Sequence, residues 1–173
     1  MLFPLHIKTL GNFRNNYNQF LSKNVKLRIG EKIPSFSLKD QNGTIRNTNK
    51  LKKPLVLFFY PKDDTPGCTI EACGFRDKYD LFKILGAEVW GISNGDSQSH
   101  LEFANKNKLQ YPLLCDLNNI LRNKFGVPKT LGFIEGRVTY IINSEGMIKH
   151  IFEDLLNGPA HIKEAIKALK KLQ

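Results

Sequence analysis

Cysteine is scarce in this chain, with three among 173 residues. Three thiols do not build the disulfide framework of a small secreted domain, and they suit a compartment where thiols stay reduced. Long hydrophobic runs are absent too, and nothing approaches the ~20 apolar residues that span a bilayer. Acidic residues are missing before Glu31, a stretch that holds Lys8, Arg14, Lys23, Lys26 and Arg28. It has neither the apolar core of a secretory signal nor the serine content of a transit peptide. Residues 1–26 are therefore expected to be a basic N-terminal extension, a targeting leader or the product of an upstream start, with one domain over 27–173. The remaining candidate metal ligands, His6, His100, His150, His161 and Cys115, are scattered. Zinc needs about four ligands at suitable spacing, so no metal is expected. No internal repeat is visible.

What is there begins with charge. The formal net charge is +10, but the basic residues are dispersed: Lys52–Lys53, Lys106, Lys108, Lys129, and a cluster from Lys163 to Lys171. That cluster lies on the polar face of an amphipathic helix and reads as solvated surface. With no nucleic-acid motif beside it, no specific nucleic-acid partner is expected.

Alternating elements follow. Phe36 and Leu38 alternate with polar residues before Asn42–Gly43, a hairpin signal. Leu55 to Tyr60 is a continuous apolar run, the pattern of a strand buried on both faces. Val89 to Ile92 repeats it. Asp96 or Ser97 starts a helix carrying Leu101 and Phe103. Tyr111 to Leu114 reads as a short strand, and Asp116 as the N-cap of a helix with Leu117, Ile120, Leu121 and Phe125. Residues 137–142 and 147–152 flank a turn at Asn143–Gly146. Pro159 opens a last helix with Ile162, Ile166, Leu169 and Leu172 on one face.

The most informative stretch runs from Phe59 to Cys73. Pro61, Pro66 and Gly67 break the core strand. Ala72, Phe75, Tyr79 and Phe82 then follow Cys68 at helical spacing. This puts Cys68 in the first turn of a helix, expected to face solvent beyond the sheet edge. Only a thiolate attacks, and unpaired N–H groups with the positive end of the helix dipole favour it there. Thr65 can offer its hydroxyl to a bound oxygen. Asp63 and Asp64 are expected to point to solvent or cap the helix start. Cys73 is placed as a local resolving thiol, although a cysteine pair at this spacing could equally be coincidence or half a metal site. Five residues apart on an intact helix, the two cysteines differ by about 140° and ~7.5 Å. A disulfide wants Cα atoms within about 7 Å, so the first turns would have to unwind. Cys115 reads as a buried structural thiol.

On these residues the chain resembles the peroxiredoxins, and within them the peroxiredoxin Q or bacterioferritin comigratory group. Pro61, Thr65 and Cys68 match the P-x-x-x-T-x-x-C signature, and Cys73 matches the subgroup's second cysteine. Gly86–Val89, Gly91–Ser93, Phe125–Pro128 and Gly136–Ile142 match as well, so the likeness runs from about Leu27 to the C-terminus. The resemblance implies an α/β, thioredoxin-like fold with a central mixed β-sheet flanked by helices. It implies a thiol-dependent peroxidase of antioxidant defence and cell redox homeostasis, reducing hydrogen peroxide and organic hydroperoxides without a cofactor. Cys68 would be the peroxidatic nucleophile and Cys73 the resolving cysteine of an intramolecular disulfide. Thr65 would hydrogen-bond the peroxide, and Pro61 would shape the loop. Arg137, which alone reads as a solvated strand residue, would stabilise thiolate and transition state. Thioredoxin or a similar dithiol would be the reductant. The expected form is a monomer, away from membranes, in a bacterial-type cytoplasm or alternatively a plastid. The competing reading is a thioredoxin-fold disulfide sensor or interaction module, which needs neither Thr65 nor Arg137 and usually spaces its cysteines C-x-x-C.

Overall fold

The computed structural model describes residues 26–173, so nearly all of the stretch expected to be an extension lies outside the described residues. A five-stranded sheet forms the centre. In chain order its strands are β3 (Leu55–Phe59), β4 (Glu88–Ser93), β5 (Leu113–Cys115), β8 (Val138–Ile142) and β9 (Ile148–Glu153). Across the sheet they run β5-β4-β3-β8-β9. β3, β4 and β5 are parallel, whereas β8 and β9 are antiparallel, which makes the sheet mixed. A small hairpin of β1 (Ser37–Lys39) and β2 (Ile45–Asn47) precedes it, turning at Asn42–Gly43 with Gly43 at φ 77°.

β3 is the middle strand, and its two faces account for its unbroken apolar sequence. All five of its side chains are buried. Val56 and Phe58 join one core with Cys68, Ala72, Phe75, Phe82, Phe103, Ile162 and Leu169. Leu55, Leu57 and Phe59 join the opposite core with Phe36, Trp90, Ile92, Leu121, Phe125 and Tyr140. Burying each such side chain contributes about 1.5–3 kcal/mol, so the apolar run fixes β3 at the centre. The first core is roofed by α1 (Pro66–Asp77), α2 (Tyr79–Ile84), α3 (Ser97–Asn107) and α5 (Gly158–Lys170). α3 is capped by Asp96, whose side chain accepts from the Ser99 N–H, and α5 by Asn157, which accepts from Ala160. Among the described residues no helix is long and apolar enough to cross a membrane.

The structure departs from the sequence reading in five places. The stripe from Ala72 to Phe82 is not one helix, because Lys78 (φ −106°, ψ 9°) breaks it into α1 and α2. α4 is only Ile120–Lys124, since Asn118 and Asn119 take left-handed φ values of 63° and 56°. Leu117 and Ile120 are consequently exposed, at 53% and 58%. Asp116 does not cap the turn at Leu117; its carboxylate instead accepts the N–H groups of Leu121 and Arg122 at 2.8 Å each. Leu172 lies past the end of α5, and the small hairpin β6 (Lys129–Thr130) and β7 (Ile134–Glu135) was not anticipated.

Candidate active site

β3 hands the chain to the site. Beyond its end, Tyr60 N–H still donates to Ile92 O at 3.1 Å, and then Pro61 to Thr65 turn the chain into α1. Pro66 occupies the first helical position, where its missing N–H costs nothing. Thr65 is the N-cap by backbone geometry but makes no side-chain capping bond; its hydroxyl donates to Lys62 O at 3.2 Å. Thr69 N–H is the first to pair, with Thr65 O at 2.9 Å, leaving the N–H groups of Gly67 and Cys68 without partners inside the helix. Pro61 is half-buried at the start of the turn.

Cys68 is 1% exposed, so it does not face solvent as its place in the sequence suggested. It points inward because Arg137 reaches it from the residue before β8. Arg137 Nη2 donates to Cys68 Sγ at 3.4 Å and Nε to Leu155 O at 3.1 Å, while Nη1 pairs with Glu71 Oε2. A guanidinium has a rigid fork of five donors, and three of its arms are used here. The approach is close: a Cβ on Gly67 would stand 3.3 Å from Arg137 Nη2. On the other side, a Cβ on Gly136 would meet Pro128 O at 2.3 Å, so only glycine lets the backbone reach Arg137 by this path.

Glu71 extends the site inward. It is wholly buried, one helical turn after Cys68. Burial pushes its carboxyl up to about 7, against the downward pull of Arg137. Its Oε1 has no hydrogen-bond partner among the described residues and lies 3.6 Å from His161 Nδ1. His161 Nε2–H donates to Asp154 O and Nδ1 accepts the Thr139 hydroxyl, both at 2.8 Å. Burial pushes this imidazole down to about 4. The two groups therefore act on stability in opposite senses. Glu71 contributes most below its ordinary 4.5, and the contribution is lost as pH rises through about 7. His161 contributes above its ordinary 6.5, and that is lost as pH falls through about 4. Glu71→Gln removes the first effect alone. The stability of wild type relative to Glu71→Gln should fall by about 3 kcal/mol between pH 4.5 and above 7, measured by urea unfolding across pH. A pH-independent difference would contradict this assignment.

A second buried arginine ties the frame together. Arg122 donates to Tyr60 O at 2.6 Å and to Gly136 O at 2.7 Å, clamping the start of the active-site turn to the residue before Arg137. Its guanidinium carbon also sits 5.6 Å from the Phe59 ring centroid. Sequence reasoning missed Glu71, His161 and Arg122. Glu71 alone left a signal, since it stands at helical spacing beside Cys68 and Ala72 on the apolar side of α1.

The two acids of the turn part company. Asp64, at φ 56°, is exposed and pairs with Lys106 at 2.7 Å. Asp63 neither faces solvent nor caps α1: it is buried and accepts from Tyr60 Oη, Ser99 Oγ and the His100 ring, each at 2.7 Å. Burial alone would raise its carboxyl, but the bonds from His100, Ser99 and Tyr60 hold it below the usual range.

Cys73 lies two turns along the same intact helix, half-buried, with Sγ 3.7 Å from Asn107 Oδ1. Its end of α1 is pinned by Tyr111 Oη, which donates to Ala72 O at 2.8 Å, and by Arg76 Nη1, which donates to Asn107 O at 2.8 Å. Both cysteines are free thiols. Cys115 ends β5, half-buried and 3.5 Å from Ser97 Oγ, and burial pushes its thiol up.

Comparisons with known proteins identify the family. The AhpC/TSA family model matches residues 29–151. A curated poplar relative (Populus jackii) named "Peroxiredoxin Q, chloroplastic" is 46% identical over 149 residues, 85% of this chain and 70% of that protein. The crystal structure of peroxidoxin BcpB from Mycobacterium tuberculosis superposes with a TM-score of 0.78 at 34% identity, covering 85% of this chain and 99% of that one. A bacterioferritin comigratory protein from Xanthomonas campestris, whose structures address its alkyl peroxide reduction activity, gives 0.72 at 27% identity, covering 79% and 91%. A buried thiol at the start of a helix on a thioredoxin-like sheet thus coincides with sequence kinship, and the chain belongs to the AhpC/TSA family and, within it, to the peroxiredoxin Q group of antioxidant thiol peroxidases.

Proposed function

We propose that Cys68 is the peroxidatic cysteine, Cys73 its resolving partner, and that Thr65, Arg137 and Pro61 complete the site. One observation carries this reading: Arg137 donates to a Cys68 sulfur held in the uncapped first turn of α1. The thiolate attacks the terminal oxygen of a hydroperoxide, the O–O bond breaks, and Cys68 becomes a sulfenic acid. The alkoxide or hydroxide that leaves takes a proton to become alcohol or water. Its developing charge meets Arg137, the Gly67 and Cys68 N–H groups and the Thr65 hydroxyl, an oxyanion arrangement. Cys73 then condenses with the sulfenic acid, water leaves and a disulfide forms. α1 must unwind for this, and its uncapped start is the end free to do so, while Tyr111 and Arg76 hold the other. A thioredoxin-type dithiol reduces the disulfide by exchange.

Hydrogen peroxide and alkyl hydroperoxides are the substrates, the latter supported by the activity named for the Xanthomonas relative. Residues 27–173 act as one peroxidase domain behind a basic extension or leader, working as a monomer because resolution stays within one chain. The chloroplastic name of the poplar relative favours a plastid over a bacterial-type cytoplasm. The Thr65–Arg137 pair favours the peroxidase over a disulfide sensor. Thr65→Val tests that choice: the rate constant for Cys68 oxidation by hydrogen peroxide should fall about 10- to 100-fold in stopped flow, with the fold intact. An unchanged rate would return the sensor reading.

A further inference from the structure

Asp63 and His100 form a buried cluster that the chemistry above does not use. His100 Nε2 faces Leu114 O at 3.2 Å, and a carbonyl only accepts. His100 Nδ1 faces Asp63 Oδ2, which already accepts from Ser99 Oγ, while Asp63 Oδ1 accepts from Tyr60 Oη. Both ring nitrogens therefore meet acceptors, which fixes the buried ring between the Asp63 carboxylate and the Leu114 carbonyl. The space is tight: a Cβ on Gly95 would stand 2.7 Å from the His100 ring and 3.0 Å from Asp63 Oδ2.

This cluster sits where the active-site turn needs support. Asp63 is two residues from both Pro61 and Thr65. Neither proline has an N–H to give, Thr65 makes no capping bond to α1, and Asp64 is held in left-handed geometry. The Asp63 side chain instead fastens the turn to α3 through Ser99 and to β5 through His100, elements that lie outside the part of α1 that unwinds. We propose that Asp63, paired with His100 and Ser99, is a positioning residue that sets Thr65 against Cys68 for peroxide attack and keeps it there when α1 unwinds and refolds in each cycle. The idea rests on the assignment of Cys68 and Thr65 above.

The test separates the two steps. Reduced protein is mixed with hydrogen peroxide, quenched rapidly, and the Cys68 sulfenic acid and the Cys68–Cys73 disulfide are quantified by mass spectrometry. Asp63→Asn should slow sulfenic acid formation about 10- to 100-fold, as expected for a displaced catalytic group, and leave condensation within about threefold. Ser99→Ala, which removes a single hydroxyl, should slow the first step about threefold or more. In wild type, NMR should show a His100 ring N–H proton protected from exchange by Asp63, and in Asp63→Asn that proton should exchange faster. Unchanged oxidation in Asp63→Asn, or equal slowing of both steps, would overturn the proposal. Should Asp63→Asn not fold, Ser99→Ala decides: wild-type oxidation in it would equally overturn the idea. Failure of wild type to oxidise at Cys68 is a different result, and it would remove the site assignment itself.

Discussion

A Cys68→Ser protein should consume no hydroperoxide beyond the slow background of its other thiols, while folding normally. A serine hydroxyl is not ionised beside Arg137 at neutral pH and is a poor nucleophile without a base. The side chain is small, it sits at a helix start, and the swap leaves the shape of the core intact. The contrast with Cys73→Ser sharpens the expectation. That variant should complete one rapid turnover, because Cys68 and Arg137 are untouched, and then stall. Without Cys73 to condense with, its sulfenic acid should pass to sulfinic acid under excess peroxide, a gain of two oxygens on the Cys68 peptide. Normal multiple turnover in Cys68→Ser would show that the nucleophile lies elsewhere.

Arg137→Met should slow oxidation of Cys68 by about 10²- to 10³-fold, the scale of losing one preorganised donor to a developing negative charge. It should also destabilise the fold by about 3–5 kcal/mol, because Glu71 is left buried without its cation. The stability loss should shrink at low pH, where Glu71 takes up a proton and no longer needs a partner. Arg137→Lys is not a conservative change here: one ammonium cannot reach Cys68 Sγ, Glu71 and Leu155 O in the fixed geometry that the fork provides. Stopped-flow oxidation rates and urea unfolding at two pH values check both halves. An Arg137→Met rate within threefold of wild type would mean that this guanidinium supports the fold and not the reaction.

The features legible in the sequence were those written in local pattern. β3 shows as five consecutive apolar residues because both of its faces are covered. The first turn of α1 shows because Pro66 and Gly67 can only punctuate there, and Asn42–Gly43 announces its hairpin. The break at Lys78 does not show, since Phe75, Tyr79 and Phe82 keep helical spacing across it. α4 was overextended because Leu117 and Ile120 mimic a buried stripe while Asn118 and Asn119 turn the chain the other way. The charged half of the site was legible least. Arg137 meets Cys68 across 69 positions of sequence, and only family resemblance pointed to it. Asp63 looks like any solvated acid until the fold brings Ser99 and His100 to it, because a buried, satisfied charge has the same letter as an exposed one.

The most direct test of the account is peptide-resolved mass spectrometry of fully reduced protein after one equivalent of hydrogen peroxide. The account predicts rapid, near-stoichiometric formation of a Cys68–Cys73 disulfide within one chain, with Cys115 still a free thiol. Slow or scattered oxidation, or a disulfide that includes Cys115, would contradict it.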